Sequence, residues 1–346
     1  MKKIKSFPKF LKYQRQRQKR ALKNSRRKKL LNSITAIYSS YNYLQIYEDR
    51  GFQSIVPPYL FSMVRNPELM IRFLNKLKLA VYNGRNVVLD FSNVIDISND
   101  GFIALLSVIQ DSKVPKTVIV NAIIPRDYKV KKRLMECGIS EASTGLQTIT
   151  PKSGRFRQKS SLTADTEEAN ELIQFATRQI YGKKKELKDV QRILSECIDN
   201  TTYHANPTKR LAERWWGTVF FDEEEDTAYF SILDNGIGII ESLRVNWMGA
   251  LKLKIKYSSN VELMRDIFKG GILSSTRESN RGNGLPNIFR ARSRRQFSRL
   301  ICITNNVYID FDKDDYRLLE NSFSGTFFYW EVSDDANNDS SNGTNN

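Results

Sequence analysis

The sequence predicts an α/β protein in two parts, and three observations predict it. From Asn86 onward, short apolar runs alternate with stretches of helical spacing, the pattern of strands joined by helices. Residues 145–161 (GLQTITPKSGRFRQKSS) then turn polar and basic, which reads as a linker. Beyond it come helical stretches followed by strands, a second unit. A chain of 346 residues with 40% hydrophobic content is long and apolar enough for two cores.

In chain order, residues 1–32 form a basic arm, flexible or helical from about Phe10. Fourteen Lys and Arg fall between Lys2 and Lys29, the first acid is Glu48, and the net charge of +17 therefore describes the arm. Residues 33–85 carry mixed periodicity broken at Pro57-Pro58, with one helix expected before the prolines and one or two after. Val87–Phe91 reads as a buried strand and Gly101–Asp111 as a helix. Thr117–Ala122 follows as a second strand and Tyr128–Gly138 as a helix closing at glycine. This first unit is expected over 33–145 and the linker over 146–163.

In the second unit, 164–334, helices are expected at Thr166–Ile180, Lys184–His204 and Leu285–Arg294. Strands are expected at Trp216–Asp222, Thr227–Leu233, Leu300–Ile309 and Thr326–Val332. The Asn/Ser/Gly tail 335–346 reads as disordered.

Several classes are disfavoured from the start. Cys137, Cys197 and Cys302 are scattered and lie in apolar patterns, against a disulfide framework or structural zinc and for a reducing interior. No apolar run approaches a bilayer span, and no apolar segment follows the N-terminal charges, so a cytoplasmic protein is expected.

Four motifs carry chemistry. In Ser195–Ala205 (SECIDNTTYHA), Glu196 and Asn200 are four apart on a helix and share a face. The Asn carbonyl can ligate Mg²⁺ without adding charge, and the Glu can orient or deprotonate a nucleophile. In Ile232–Ile239 (ILDNGIGI), Asp234 ends a strand and can accept from an exocyclic amine, while Gly236 and Gly238 allow close backbone approach to a flat ring. Arg281–Leu285 (RGNGL) places Gly282 and Gly284 before a helix, whose first N–H groups and dipole favour phosphate. Ser324–Phe328 (SGTFF) opens the last strand. Singly these are weak: ExxxN also fits a solvated helix face, and Asp-Asn-Gly a tight turn.

In this order they resemble the N box and glycine boxes of GHKL ATPases, the class of DNA gyrase, MutL, histidine kinases and anti-sigma kinases. The resemblance spans about residues 165–333. It implies an α+β sandwich, a mixed sheet with helices on one face, that binds ATP and Mg²⁺. By position it implies that Asn200 coordinates Mg²⁺, Asp234 reads adenine, and Gly236 and Gly238 line the adenine pocket. Arg281, Gly282 and Gly284 serve the phosphates, Thr326 supports the Asp, and Glu196 stands where hydrolysing members keep a general base. Glu241–Arg281 would be the ATP lid, with Arg277 and Arg281 in reach of the γ-phosphate. His204 lies inside the N-box helix, whereas histidine kinases carry their phosphoacceptor on a separate helix. It therefore reads as a packing or capping residue, and no histidine autokinase is expected.

Residues 86–139 resemble a STAS domain, the fold of anti-sigma factor antagonists, in the run VVLDFSNVIDISNDGFIALLSVI and the later MECGI. In phosphorylated members a Ser or Thr precedes the glycine. Here Asp100 does, and two readings stand: a helix N-cap, or a fixed carboxylate replacing a phosphoserine, with Ser98 left as a displaced acceptor.

The two resemblances together imply a partner-switching kinase or ATP-dependent switch, with a STAS or sigma-regulator-like protein as partner and a homodimer compatible with it. The alternative is a GHKL ATPase that remodels a nucleic-acid or protein partner, and a third reading keeps ATP as a structural ligand. Hydrolysing members also take a lysine from a following transducer domain. Nothing after Phe328 suggests one, which favours the switch. The arm fits nucleic-acid phosphates, an anionic membrane surface, or a solvated tail.

Overall fold

The structure, a computed structural model, describes residues 46–125, 127–139, 146, 154–162, 166–204, 214–244, 256–271, 284–292 and 296–334. The basic arm, the C-terminal tail, Arg277, Arg281 and Gly282 lie outside them. The chain forms two compact units, residues 1–52 and 53–346. Of the first, residues 46–52 carry a helical turn closed at Gly51 (φ 78°) and an edge-on contact of Tyr47 with Phe52.

The second unit begins with a βα half. Its elements are β1 (Gln53–Ile55), β2 (Leu60–Phe61), α1 (Pro67–Tyr82), β3 (Val87–Asp90), β4 (Asp96–Ile97), α2 (Asn99–Ile109), β5 (Val120–Ile123) and α3 (Tyr128–Glu136). Strands β1, β3 and β5 make a parallel sheet in the order β1-β3-β5, and β2 pairs with β4. β3 is buried at all four positions, as a parallel strand covered on both faces must be. Pro67 opens α1, where its missing N–H costs nothing. Asp127 caps α3 by accepting from Lys129 and Val130 N–H groups. One helix was expected before Pro57-Pro58; residues 46–49 are helical, and the rest of 33–45 lies outside the described residues. Between that turn and the prolines the chain adds strand β1, three residues long and too short to show a period.

The sheet half follows: β6 (Phe156–Ser161), α4 (Thr166–Tyr181), α5 (Lys188–His204), β7 (Trp215–Asp222), β8 (Thr227–Asp234), α6 (Ile239–Arg244), α7 (Asn260–Lys269), α8 (Gly284–Ala291), β9 (Ser298–Asp310) and β10 (Asp315–Ser333). The strands form one sheet in the order β6-β7-β8-β10-β9. Every pairing in it is antiparallel, where a mixed sheet was expected, because β7–β8 and β9–β10 are hairpins and β6 and β10 add to them in the same sense. The segment expected as a linker supplies β6, whose Phe156 is buried against Phe102 of α2. The last strand starts eleven residues earlier than expected, at Asp315, its register slipping between Leu318 and Phe323 and between Phe323 and Thr326. Those irregularities hide the period-2 signal.

Alternation along these strands divides the side chains between two cores. Trp215, Val219, Phe230, Phe328 and Trp330 pack with α4, α5, α7 and α8 on one face. Trp216, Phe220, Leu233, Phe327 and Tyr329 join the core of the βα half, with α1 and α2, on the other. Helices do line one face, as expected, and the βα half covers the opposite one. Among the described residues no helix is long and apolar enough to cross a membrane.

Asp100 is not the N-cap of α2. Ser98 holds that position, while Asp100, 2% exposed, accepts from the Ser62 hydroxyl at 2.8 Å and the Val64 N–H at 3.0 Å. Its neighbour Asn99 donates to Tyr229 O of β8 at 3.1 Å. Gly101 is required by space: a Cβ there would fall 2.3 Å from Phe61 O.

Candidate functional site

Helix α5 buries Val190, Ile193, Leu194, Cys197 and Ile198, a stripe at helical spacing. That stripe fixes the rotation of the helix and leaves Glu196 and Asn200 half-buried at its edge. The first residue of α8 lies against them. A Cβ on Gly284 would fall 2.6 Å from Glu196 Oε2 and 3.7 Å from Asn200 Oδ1, so only glycine fits there without displacing the carboxylate. Asn287, one turn into α8, donates from Nδ2 to Glu196 Oε1 at 2.8 Å. One carboxylate oxygen is thus held, and the other faces the start of α8.

Asp234 closes β8 and is 6% exposed. Its Oδ1 accepts from Gly236 N at 2.7 Å, which bends the chain into the turn that leads to α6. Gly238 has φ 82°, and the space of its absent Cβ is filled by the Asn305 side chain at 2.6 Å. In this structure the glycine admits the Asn305 side chain. Asn305, at φ 51° in β9, donates to Ile237 O at 2.8 Å and accepts from Ile240 N at 2.9 Å. Beside it, the Thr304 hydroxyl accepts from Ile239 N at 2.9 Å and donates to Gly325 O at 3.1 Å. Gly325 has φ 123°, and a Cβ on it would meet Asp234 O at 2.0 Å. The fourth motif is therefore pressed against the second at backbone distance.

Asn200, Thr201, Asp234, Ile239, Thr326 and Phe328 line one cavity, with Cys197, Ile232 and Leu233 behind them. It measures about 20 Å³, room for about one water. A larger ligand requires a wall to move outward, and Ile239 carries the wall that leads into α6. Burial pushes the thiols of Cys197 and Cys302 well up, with the charge of Asp234 adding to both, so they stay protonated and inert.

Of the residues singled out in the sequence, Glu196, Asn200, Asp234, Gly284 and Thr326 converge here. Gly236 sits in the Asp234 turn and Gly238 behind it. Arg281 and Gly282 are outside the described residues, as is the side chain of His204. The lid expected over Glu241–Arg281 is described only in α6 and over 256–271, where α7 is capped by Ser259 and closed by Gly270 at φ 84°. Sequence reasoning passed over Thr304, Asn305, Asn287 and Asn235. The signal for the first two is the polar pair that interrupts the apolar run Leu300–Ile303. No family model matches this chain, and neither does any curated protein sequence.

Proposed function

We propose that this chain is an ATP-binding regulatory protein of the GHKL class, using Mg²⁺-ATP as a partner-switching kinase or an ATP-dependent switch. The observation that carries the reading is convergence. Asn200, Asp234 and Thr326 come from three distant segments and line one cavity, and Gly284 from a fourth packs against Glu196 and Asn200. In this reading Asp234 accepts from the exocyclic amine of adenine, and its buried carboxylate suits a charge-assisted bond. Asn200 offers a neutral oxygen to Mg²⁺, which would draw charge from the phosphates. Glu196, steadied by Asn287, orients or deprotonates the nucleophile, water or a protein hydroxyl. That positioned carboxylate favours a catalytic site over ATP as a structural ligand, and it serves the remodelling ATPase as well as the kinase.

Mg²⁺-ATP is expected to raise the melting temperature of the full chain. Asp234→Ala removes a charge-assisted bond of about 1.5–3 kcal/mol and with it most of that rise. Unchanged ATP binding by Asp234→Ala overturns the assignment. Glu196→Ala is expected to bind ATP normally and to lose turnover about 100- to 10,000-fold. Labelled ATP, followed by separate measurement of free phosphate and protein-bound label, separates hydrolysis from phosphotransfer. No release and no transfer by the wild type leaves ATP as a ligand only.

A further inference from the structure

The turn that carries Asp234 is gripped from the βα half. Asn235, 5% exposed, donates from Nδ2 to Ser107 O at 2.6 Å and to Asp111 Oδ2 at 3.1 Å, in and just beyond α2. Asp111 is buried and also accepts from the Tyr82 hydroxyl, at the end of α1, at 2.7 Å. A second grip reaches the other side of the cavity. Lys78 of α1 donates to Ser324 Oγ at 3.2 Å and Ser324 O at 3.4 Å, immediately before Gly325 and Thr326. The end of β8 and the middle of β10, which flank the cavity, are therefore both held from behind by α1 and α2.

Other hydrogen bonds cross the same seam, from Asn99 to Tyr229 O, from Asn75 to Ser322 O, and from the Glu320 and Asn321 N–H groups to Glu68, but it also leaves polar atoms unmatched. Trp216 Nε1, Thr218 Oγ1, Ser231 Oγ and Asn235 Oδ1 are buried there without a hydrogen-bond partner. Apolar contact is non-directional, so the hydrogen bonds that are made give the packed seam its direction.

We propose that the βα half is a built-in positioning element for the nucleotide pocket: Asp111, acting through Asn235, holds Asp234 in its binding pose. The inference rests on the reading of this cavity as a nucleotide site. A turn held in place pays less ordering cost when the base docks, so loosening the grip weakens nucleotide binding. Linkage makes the effect reciprocal, and bound nucleotide tightens the seam by the same factor. Asp111 and Tyr82 act through Asn235 and are positioning residues.

The test is calorimetric titration of the full chain with Mg²⁺-ATP. Asp111→Ala and Asn235→Ala are each expected to weaken binding at least fivefold, within the range of about 5–150-fold usual for coupled sites. The double variant should bind no more weakly than the weaker single, because both changes cut one connection. Asp111→Asn keeps an oxygen for Tyr82 and Asn235 and should recover most of the affinity. If Asp111→Ala fails to fold, Tyr82→Phe, which removes one hydroxyl, takes its place with the same expected direction. A lower melting temperature with unchanged affinity makes the contact merely structural and overturns the proposal. A wild type that binds no ATP defeats the nucleotide reading itself. The grip is then judged by hydrogen exchange at the amides of 235–238: faster exchange in Asp111→Ala upholds it, and unchanged exchange ends it.

Discussion

On the face covered by α4, α5, α7 and α8, the five-stranded sheet offers Trp215, Val219, Phe230, Phe328 and Trp330. On the face covered by the βα half it offers Trp216, Phe220, Leu233, Phe327 and Tyr329, and among them the buried hydroxyls of Thr218 and Ser231. The first face is closed by apolar packing, with the rings of Phe230 and Trp330 stacked at 5.3 Å. The second is closed by apolar packing too, and hydrogen bonds cross it in addition: Asn99 to Tyr229 O, Asn235 to Ser107 and Asp111, Lys78 to Ser324, Asn75 to Ser322 O, and the Glu320 and Asn321 N–H groups to Glu68. Burial pushes the Tyr329 phenol up on that side, and the charge of Glu331 pushes it further. The contrast teaches where the sheet half gets its stability and where it keeps freedom to be regulated. Area holds both faces, and at the seam hydrogen bonds add direction to it.

Breaking the apolar face should have the largest effect. Trp330 is 0% exposed at its centre, and Trp330→Ala leaves a cavity that a closed helical layer fills only in part. A loss of about 3–5 kcal/mol is expected in denaturant unfolding, read as a fall in the midpoint. A loss below about 1 kcal/mol would mean that this layer repacks freely and that the comparison between faces is mistaken.

A second experiment asks which half opens first. Cys137 belongs to the core of the βα half, Cys197 and Cys302 to the core under the helices. Burial pushes the Cys137 thiol up to about 12, and the other two rise well above the ordinary 9.0. The folded values are raised, so this contribution to stability is whole below pH 9 and is lost as pH climbs towards 12. A thiol reagent at pH 8 should therefore report opening rather than ionisation. A seam that buries polar atoms of Trp216, Thr218, Ser231 and Asn235 without partners should release the βα half first, so Cys137 should be modified before the other two. Simultaneous modification of all three would show one cooperative unit with no weaker seam.

The parts of the molecule that the sequence discloses are those set by local pattern. The β7–β8 hairpin around Glu223–Asp226 and the stripe on α5 stand where period and turn chemistry put them. Glu196 with Asn200, Asp234, and Gly284 are visible as spacings, and their convergence is what the resemblance to GHKL ATPases implies. Pairings across long separations are not visible. Asn305 meets Ile240 from 65 residues away, and Asn235 meets Asp111 from 124. An asparagine in a strand and an asparagine in a turn look ordinary until the fold brings their partners. Strands β1 and β6 escaped for the same reason, since each is defined by the neighbour it joins and not by its own alternation.

The smallest expected effect is the sharpest test of the two faces, because it exchanges one pair of adjacent residues. Thr218 and Val219 are neighbours on β7, both 0% exposed, and alternation points Thr218 to the seam and Val219 to the helices. The Thr218 hydroxyl has no hydrogen-bond partner. Thr218→Val keeps the shape and removes a buried unpaired group, so stability should stay level or rise by about 1 kcal/mol. Val219→Thr does the reverse on the helical side. It buries a new hydroxyl among apolar side chains and should cost about 1–3 kcal/mol. Both changes preserve volume and strand propensity, so the difference between them isolates what each face demands of a polar atom. Equal losses in the two variants would show that the Thr218 hydroxyl is satisfied in solution, and that the seam is as well finished as the helical layer.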